Sequence, residues 1–131
     1  MRILIAGATS ALGHATASAL LESGHHVIAV GSNADRLGMV DASERFECDL
    51  TDPDAVRQLG AEVGELDGLL HLVGGWRGGG GLAGQSDEDW AWLEARVVRT
   101  LRNTTRTFAD AIGRSEAGVI AIISTTGVER P

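Results

Sequence analysis

The stretch Met1-Arg2-Ile3-Leu4-Ile5-Ala6-Gly7-Ala8-Thr9-Ser10-Ala11-Leu12-Gly13-His14 decides how this chain is read. Ile3 to Ile5 is a short run of β-formers that leads into Gly7. Small residues follow, and Gly13 opens a stretch with helical spacing. A strand that turns sharply into a helix gathers backbone N–H groups and a helix N-terminus around one point. Such a point attracts an anion, most often a phosphate.

Outward from that turn, strand and helix signals alternate. Leu12, Ala15, Ala19 and Leu20 predict a helix from Ala11 to Ser23, with Gly24 as its stop. His26 to Val30 is a second β-rich run, and Gly31-Ser32-Asn33 is a loop whose Asn33 caps a short helix to about Met39. Glu44 to Cys48 suggests a third strand. Asp52-Pro53 starts a helix that runs to about Val63, with Asp as cap and Pro at the first helical position. Leu66 to Val73 is the fourth strand. Gly74 to Gly84 is too rich in glycine to be a regular element. Ser86 and Asp89 form a capping box for the longest helix, which reaches Ile112. Leu93, Val97, Leu101, Thr104, Phe108 and Ile112 fall on one face of it, and Arg96, Arg99, Arg102 and Arg106 mostly on a solvated one. Val119 to Ser124 is the fifth strand. Alternation of this kind calls for an α/β fold, a parallel sheet in order 3-2-1-4-5 with helices on both faces. Ligands then bind beyond the carboxyl ends of strands one and four, where the order reverses.

The totals narrow the function. A length of 131 residues suits one domain. A net charge of −7 argues against nucleic acid as the main partner. No apolar run reaches the length of a membrane span, so no membrane partner is expected. One cysteine cannot form an internal disulfide and fits a reducing, cytoplasmic compartment. Arg2, Ile3 to Ala6 and Ala15-Thr16-Ala17 mimic a signal peptide, but Gly7, Ser10, Gly13 and His14 interrupt the apolar region. No metal site is expected.

At four strand ends the chain resembles the N-terminal half of a short-chain dehydrogenase/reductase. The family's TGxxxGxG signature is matched at Ala6-Gly7-Ala8-Thr9-Ser10-Ala11-Leu12-Gly13, with Ala6 for the Thr and Ala11 for the middle Gly. The resemblance implies that Gly7, Thr9, Ser10, Ala11, Leu12 and Gly13 hold the pyrophosphate of a dinucleotide. Cys48-Asp49-Leu50 matches the strand-three end, which implies that Asp49 hydrogen-bonds the adenine and Leu50 packs on it. His71-Leu72-Val73-Gly74 takes the NNAG position, which implies that Val73, Gly74 and Gly75 approach the nicotinamide ribose. The extension to Gly75-Trp76 is similar to the dihydropteridine reductase branch. His71 itself reads as a strand residue with a satisfied ring; Trp76 either covers the active-site mouth or anchors the loop. Ser124-Thr125-Thr126-Gly127 matches the end of strand five, which implies that Ser124 is the catalytic hydroxyl that binds the substrate oxygen.

The implied fold is a three-layer Rossmann-like sheet that lacks the family's C-terminal strands and helices, so that residues 1–131 form a single domain truncated relative to the family. The implied activity is hydride transfer between NADP(H) and a carbonyl or alcohol substrate. NADP is preferred over NAD, because Ser32 and Asn33 replace the acid that NAD-binding members carry after strand two. Arg36 either reaches the 2′-phosphate or is a solvated helix charge. The departures are as specific as the matches. The chain has no Tyr and no Lys, so the family's YxxxK acid/base pair is absent, and the family's helix Asn falls at Val97. Two other functions therefore stand beside the oxidoreductase: a non-catalytic dinucleotide-binding or sensing module, and a Rossmann-like interaction protein. Without the missing half, the apolar residues of 69–73 and 119–123 lack cover. A homo-oligomer or a partner over that sheet face is expected.

Overall fold

The structure, a computed structural model, describes residues 1–124. Five parallel strands run in the order β3-β2-β1-β4-β5. They are β1 (Arg2–Ala6), β2 (His26–Gly31), β3 (Glu44–Glu47), β4 (Gly68–His71) and β5 (Val119–Ile122). This is the order expected from the sequence. It places the β1–α1 turn at the point where the connections reverse direction.

Alternate side chains of the central strands feed two cores, as the two-residue period of a strand requires. Leu4, Ala6, Ile28, Val30 and Leu69 pack on α3 (Pro53–Val63) and α5 (Thr100–Gly113) through Val56, Leu59, Val63, Phe108 and Ile112. On the opposite face, Ile5, Val27 and Ala29 pack with Ala17 of α1 (Ala11–Glu22) and Leu37 of α2 (Ala34–Gly38). Each fully buried Leu or Phe of this set stabilises by about 1.5–3 kcal/mol. The helix starts follow their caps. Ser10, Asn33, Asp52 and Ser86 accept from the backbone of Gly13, Arg36, Asp54 and Asp89 at 2.8–3.1 Å.

The long helix expected from Ser86 to Ile112 is not continuous. It is α4 (Asp87–Leu93), a π-helical segment over Glu94–Arg99, and α5. The Thr100 hydroxyl donates to the Arg96 carbonyl at 2.6 Å, inside the widened turn. A π-turn inserts a residue and rotates the helix face by about 100°. The predicted buried stripe is therefore correct only after the break. Phe108, Ile112 and Thr104 are buried together with Thr100 and Asn103, while Val97 is 39% exposed. Beside β4, the residues Val119, Ile120, Ile122 and Ile123 are 41–62% exposed, as expected, whereas within 69–73 Leu69 is buried and Leu70, Leu72 and Val73 are half-buried.

A very tight backbone contact lies at the start of α1. A Cβ on Gly13 would sit 2.4 Å from the Ala8 carbonyl oxygen, whereas one on Gly38 would meet nothing within 4 Å. Gly13→Ala should cost about 1–3 kcal/mol, because the clash is with backbone that cannot swing away. Gly38→Ala should add about 0.5–1 kcal/mol by restraining the unfolded chain. Urea unfolding of the two variants checks the contrast in sign.

Candidate functional site

A cleft of about 610 Å³ opens beyond the carboxyl ends of β1 to β4. Its floor is the β1–α1 turn. Gly7 has φ +86°, and a Cβ there would lie 3.0 Å from the backbone nitrogen of Val73, so the turn presses against the segment that follows β4. The N–H groups of Gly7 and Ala8 both donate to the Val30 carbonyl at 3.1 Å, which fixes the turn to β2. Ser10 Oγ accepts from Gly13 N–H at 3.0 Å and donates to the Gly7 carbonyl at 3.0 Å. The N–H groups of Ala11 and Leu12 in the first turn of α1 have no acceptor among the described residues. Two unpaired amides and a helix dipole at this floor suit an anion.

The wall on the β2 side holds Gly31, Ser32 and Arg36. Thr9 covers Gly31 so closely that a Cβ there would meet Thr9 Cγ2 at 2.7 Å. Arg36 Nη2 donates to the Thr9 carbonyl at 3.0 Å, which holds the guanidinium at the rim. Asn33 lies just outside the cleft, its side chain taken up in capping α2. The wall after β3 holds Cys48, Asp49, Leu50 and Thr51. Asp49 Oδ1 accepts from both the N–H and the hydroxyl of Thr51, at 2.9 and 2.8 Å. Buried Asn103 donates to the carbonyls of Leu50 and Thr51 at 3.0 and 3.3 Å, so α5 holds this loop in place. Burial, with the carboxylates of Asp49 and Asp52 nearby, pushes the Cys48 thiol up to about 11. It is protonated at neutral pH and is no nucleophile.

The wall on the β4 side holds Leu72, Val73, Gly74, Trp92, Ala95, Arg96 and Thr100. Gly75 is not on the cleft surface; it lies under Trp92, where a Cβ would meet the indole at 2.5 Å. Trp76, which the sequence offered as a cover, is 83% exposed, and Trp92 takes the place beside the cleft. Behind the wall, buried His71 has its Nδ1 3.0 Å from the Thr104 hydroxyl and its Nε2 3.3 Å from that of Thr100. Ser124 is exposed, follows β5 and does not line the cleft; Thr125, Thr126 and Gly127 of its motif lie outside the described residues.

The cleft thus brings together Gly7, Thr9, Ser10, Ser32, Arg36, Asp49, Leu50, Val73 and Gly74 of the residues read from the sequence. Ala11, Leu12 and Gly13 stand just behind the turn, Ala11 and Leu12 on the exposed side of α1. Sequence reasoning missed Thr51, Trp92, Arg96 and Thr100. The one available signal was the spacing of Trp92, Arg96 and Thr100, four residues apart on one helical face. Among the described residues no group of three or more His, Cys, Asp or Glu is placed to hold a metal, and no helix is long and apolar enough to cross a membrane.

Comparison with known proteins points one way. A family model described as short chain dehydrogenase matches residues 1–131. The chain is 30% identical over 130 residues to an uncharacterised oxidoreductase of Mycobacterium tuberculosis, which covers 96% of this chain and 52% of that protein. It is 34% identical over 103 residues to a 3beta-hydroxysteroid dehydrogenase of Mediterraneibacter gnavus, covering 67% of this chain and 36% of that protein. The chain therefore spans about half the length of these relatives or less. Among solved structures, serine dehydrogenase from Escherichia coli superposes with a TM-score of 0.88 at 24% identity, covering 100% of this chain and 65% of that one. A Serratia marcescens short-chain dehydrogenase/reductase variant superposes with a TM-score of 0.86 at 22% identity, covering 98% and 57%.

The buried ring of His71 generates a pH prediction. Burial pushes its pKa down to about 4 from 6.5. Between those values the unfolded chain binds the proton and the folded one does not, so the sign is fixed. This contribution to stability is intact above pH 6.5 and is lost as pH falls from 6.5 toward 4, by up to about 1.4 kcal/mol per unit. In His71→Asn the stability difference between pH 7.5 and pH 5 should shrink, as measured by urea unfolding at the two pH values.

Proposed function

This chain belongs to the short-chain dehydrogenase family, and we propose that its cleft binds NADP(H) for hydride exchange with a carbonyl or alcohol substrate. The observation that carries this reading is the β1–α1 floor. A positive-φ glycine, a glycine packed on backbone and two unpaired amides lie where the strand order reverses. That arrangement suits the pyrophosphate of a dinucleotide, with Thr9, Ser10, Ala11 and Leu12 around it. Asp49 and Leu50 are assigned to the adenine, and the Val73-Gly74 backbone to the nicotinamide ribose.

The preference for NADP rests on charge. Among the described residues Asp49 is the one acidic residue that lines the cleft, and it follows β3 rather than β2. At the end of β2 stand Ser32 and the tethered guanidinium of Arg36, which suit a 2′-phosphate better than a pair of ribose hydroxyls. Asn33 contributes by capping the helix that carries Arg36.

When bound, the nicotinamide supplies or accepts the hydride. In this chain Ser124 is assigned to hydrogen-bond the substrate oxygen. An unperturbed serine hydroxyl is too weak an acid to protonate that oxygen unaided. The sequence has no Tyr and no Lys, and the family's helix Asn is Val97, which has no hydrogen-bonding group. None of these 131 residues is thereby assigned as the proton donor. The same observations favour a second reading, a non-catalytic dinucleotide-binding or sensing module. The exposed apolar strand β5 supports a covering partner, either a second copy or further polypeptide. The single buried thiol supports a reducing, cytoplasmic setting.

Titration of the chain with NADPH and NADH tests the cofactor reading. NADPH is expected to bind at least roughly fivefold more tightly. Arg36→Gln should weaken NADPH roughly tenfold, about 1.4 kcal/mol, and NADH by less than about twofold. No saturable response to either dinucleotide would overturn the proposal. Turnover in a carbonyl-reduction assay on the same chain would rule out the non-catalytic reading.

A further inference from the structure

One arginine of the cleft is assigned to the cofactor, yet among the described residues two line it. Arg36 stands after β2 and Arg96 in the π-helical segment that faces the end of β4. In the order β3-β2-β1-β4-β5 they lie on opposite sides of the β1–α1 turn. A dinucleotide laid across that turn with its adenosine toward β2 and β3 has its nicotinamide toward β4. Arg96 therefore lies on the side where the substrate meets the cofactor.

Three further observations mark Arg96 as more than a solvated charge. Its guanidinium carbon is 5.0 Å from the centroid of Trp92, itself seated on Gly75, so the side chain is held against the wall. On the same ring, at 4.5 Å, is the guanidinium of Arg77, but that charge has Glu88 and Asp89 at 3.8 Å. No carboxylate lies within ion-pair distance of Arg96 among the described residues. Finally, the π-turn lies over Glu94–Arg99, and such turns are frequent at functional sites.

We propose that Arg96, stacked on Trp92, is a specificity-determining residue that selects a carbonyl or alcohol substrate bearing a carboxylate. A guanidinium takes a carboxylate by two parallel hydrogen bonds. One uncompensated positive charge matches a monoanion, whereas a phosphate dianion calls for a second free cation, and Arg77 is already neutralised. The inference rests on the cofactor reading for its assignment of the β4 side to the substrate.

The test uses the full chain saturated with NADP⁺. Tryptophan fluorescence follows titration with 3-hydroxybutyrate, with its neutral amide 3-hydroxybutyramide and with inorganic phosphate. The carboxylate is expected to bind at least roughly tenfold more tightly than the amide, and more tightly than phosphate. Arg96→Gln should abolish that preference and Arg96→Lys should restore part of it. The proposal is overturned if the amide binds as well as the acid, or if phosphate binds more tightly. It is also overturned if Arg96→Gln weakens NADPH as much as it weakens the carboxylate, which would place the guanidinium on the cofactor. Repeating the titration without dinucleotide keeps the two readings apart. An Arg96-dependent carboxylate preference in a chain that binds no NADPH would keep the anion site and remove the cofactor reading.

Discussion

The contact between Gly13 and the Ala8 carbonyl governs the architecture of the site. With no side chain at Gly13, the first turn of α1 settles directly on the loop that leaves β1, closer than any Cβ would allow. That approach aims the helix N-terminus at the end of β1. It also lets the Val30 carbonyl take two N–H groups of the turn at once. The loop is thereby tied to β2 on one side and, through Gly7, pressed on the Val73 backbone on the other. The inner polar groups of the turn find partners within the protein, while the amides of Ala11 and Leu12 face outward. The same geometry that closes the fold therefore leaves a localised excess of positive potential at the reversal point of the sheet.

The opposite wall is positioned by buried polar groups rather than by apolar packing alone. Asn103 of α5 reaches two carbonyls of the β3–α3 connection, and His71 of β4 stands between the hydroxyls of Thr100 and Thr104. Among the described residues no buried side-chain nitrogen or oxygen lacks a partner. Apolar contacts tolerate sliding, whereas hydrogen bonds fix both distance and direction. Thr51, Leu50 and the Trp92–Thr100 face are accordingly held at set places around the cleft. The cost of this design is pH sensitivity, since His71 must stay neutral to remain where it is.

How much of this the sequence disclosed depends on the range of the interactions involved. The strand order was legible because it follows from local signals. Short apolar runs end in Gly7, Gly31 and Gly74, and helices start at Ser86 and at Asp52-Pro53. The break in the long helix was not legible. Residues 86–112 contain no proline and no glycine, and the π-turn goes with Thr100, whose hydroxyl contacts the Arg96 carbonyl and a histidine 29 residues away. A regular helical wheel ignores that turn, which is why Val97 was expected inside and Asn103 was given no role. The choice of Trp92 over Trp76 beside the cleft has the same origin. It depends on Gly75 lying under the ring, a contact between distant parts of the chain that periodicity does not encode.

The charge distribution then bears on which part of the site selects ligands. The chain carries a net −7, so at long range it repels both a dinucleotide phosphate and an anionic substrate. At physiological ionic strength that repulsion is screened over about 8 Å. The interactions at the cleft act at shorter range: unpaired amides, a guanidinium tied to the Thr9 carbonyl at 3.0 Å, and another 5.0 Å from the Trp92 centroid. Recognition at this site is therefore governed by the few donors of the floor and walls. An acidic surface that discourages indiscriminate anion binding makes those local donors more selective rather than less effective.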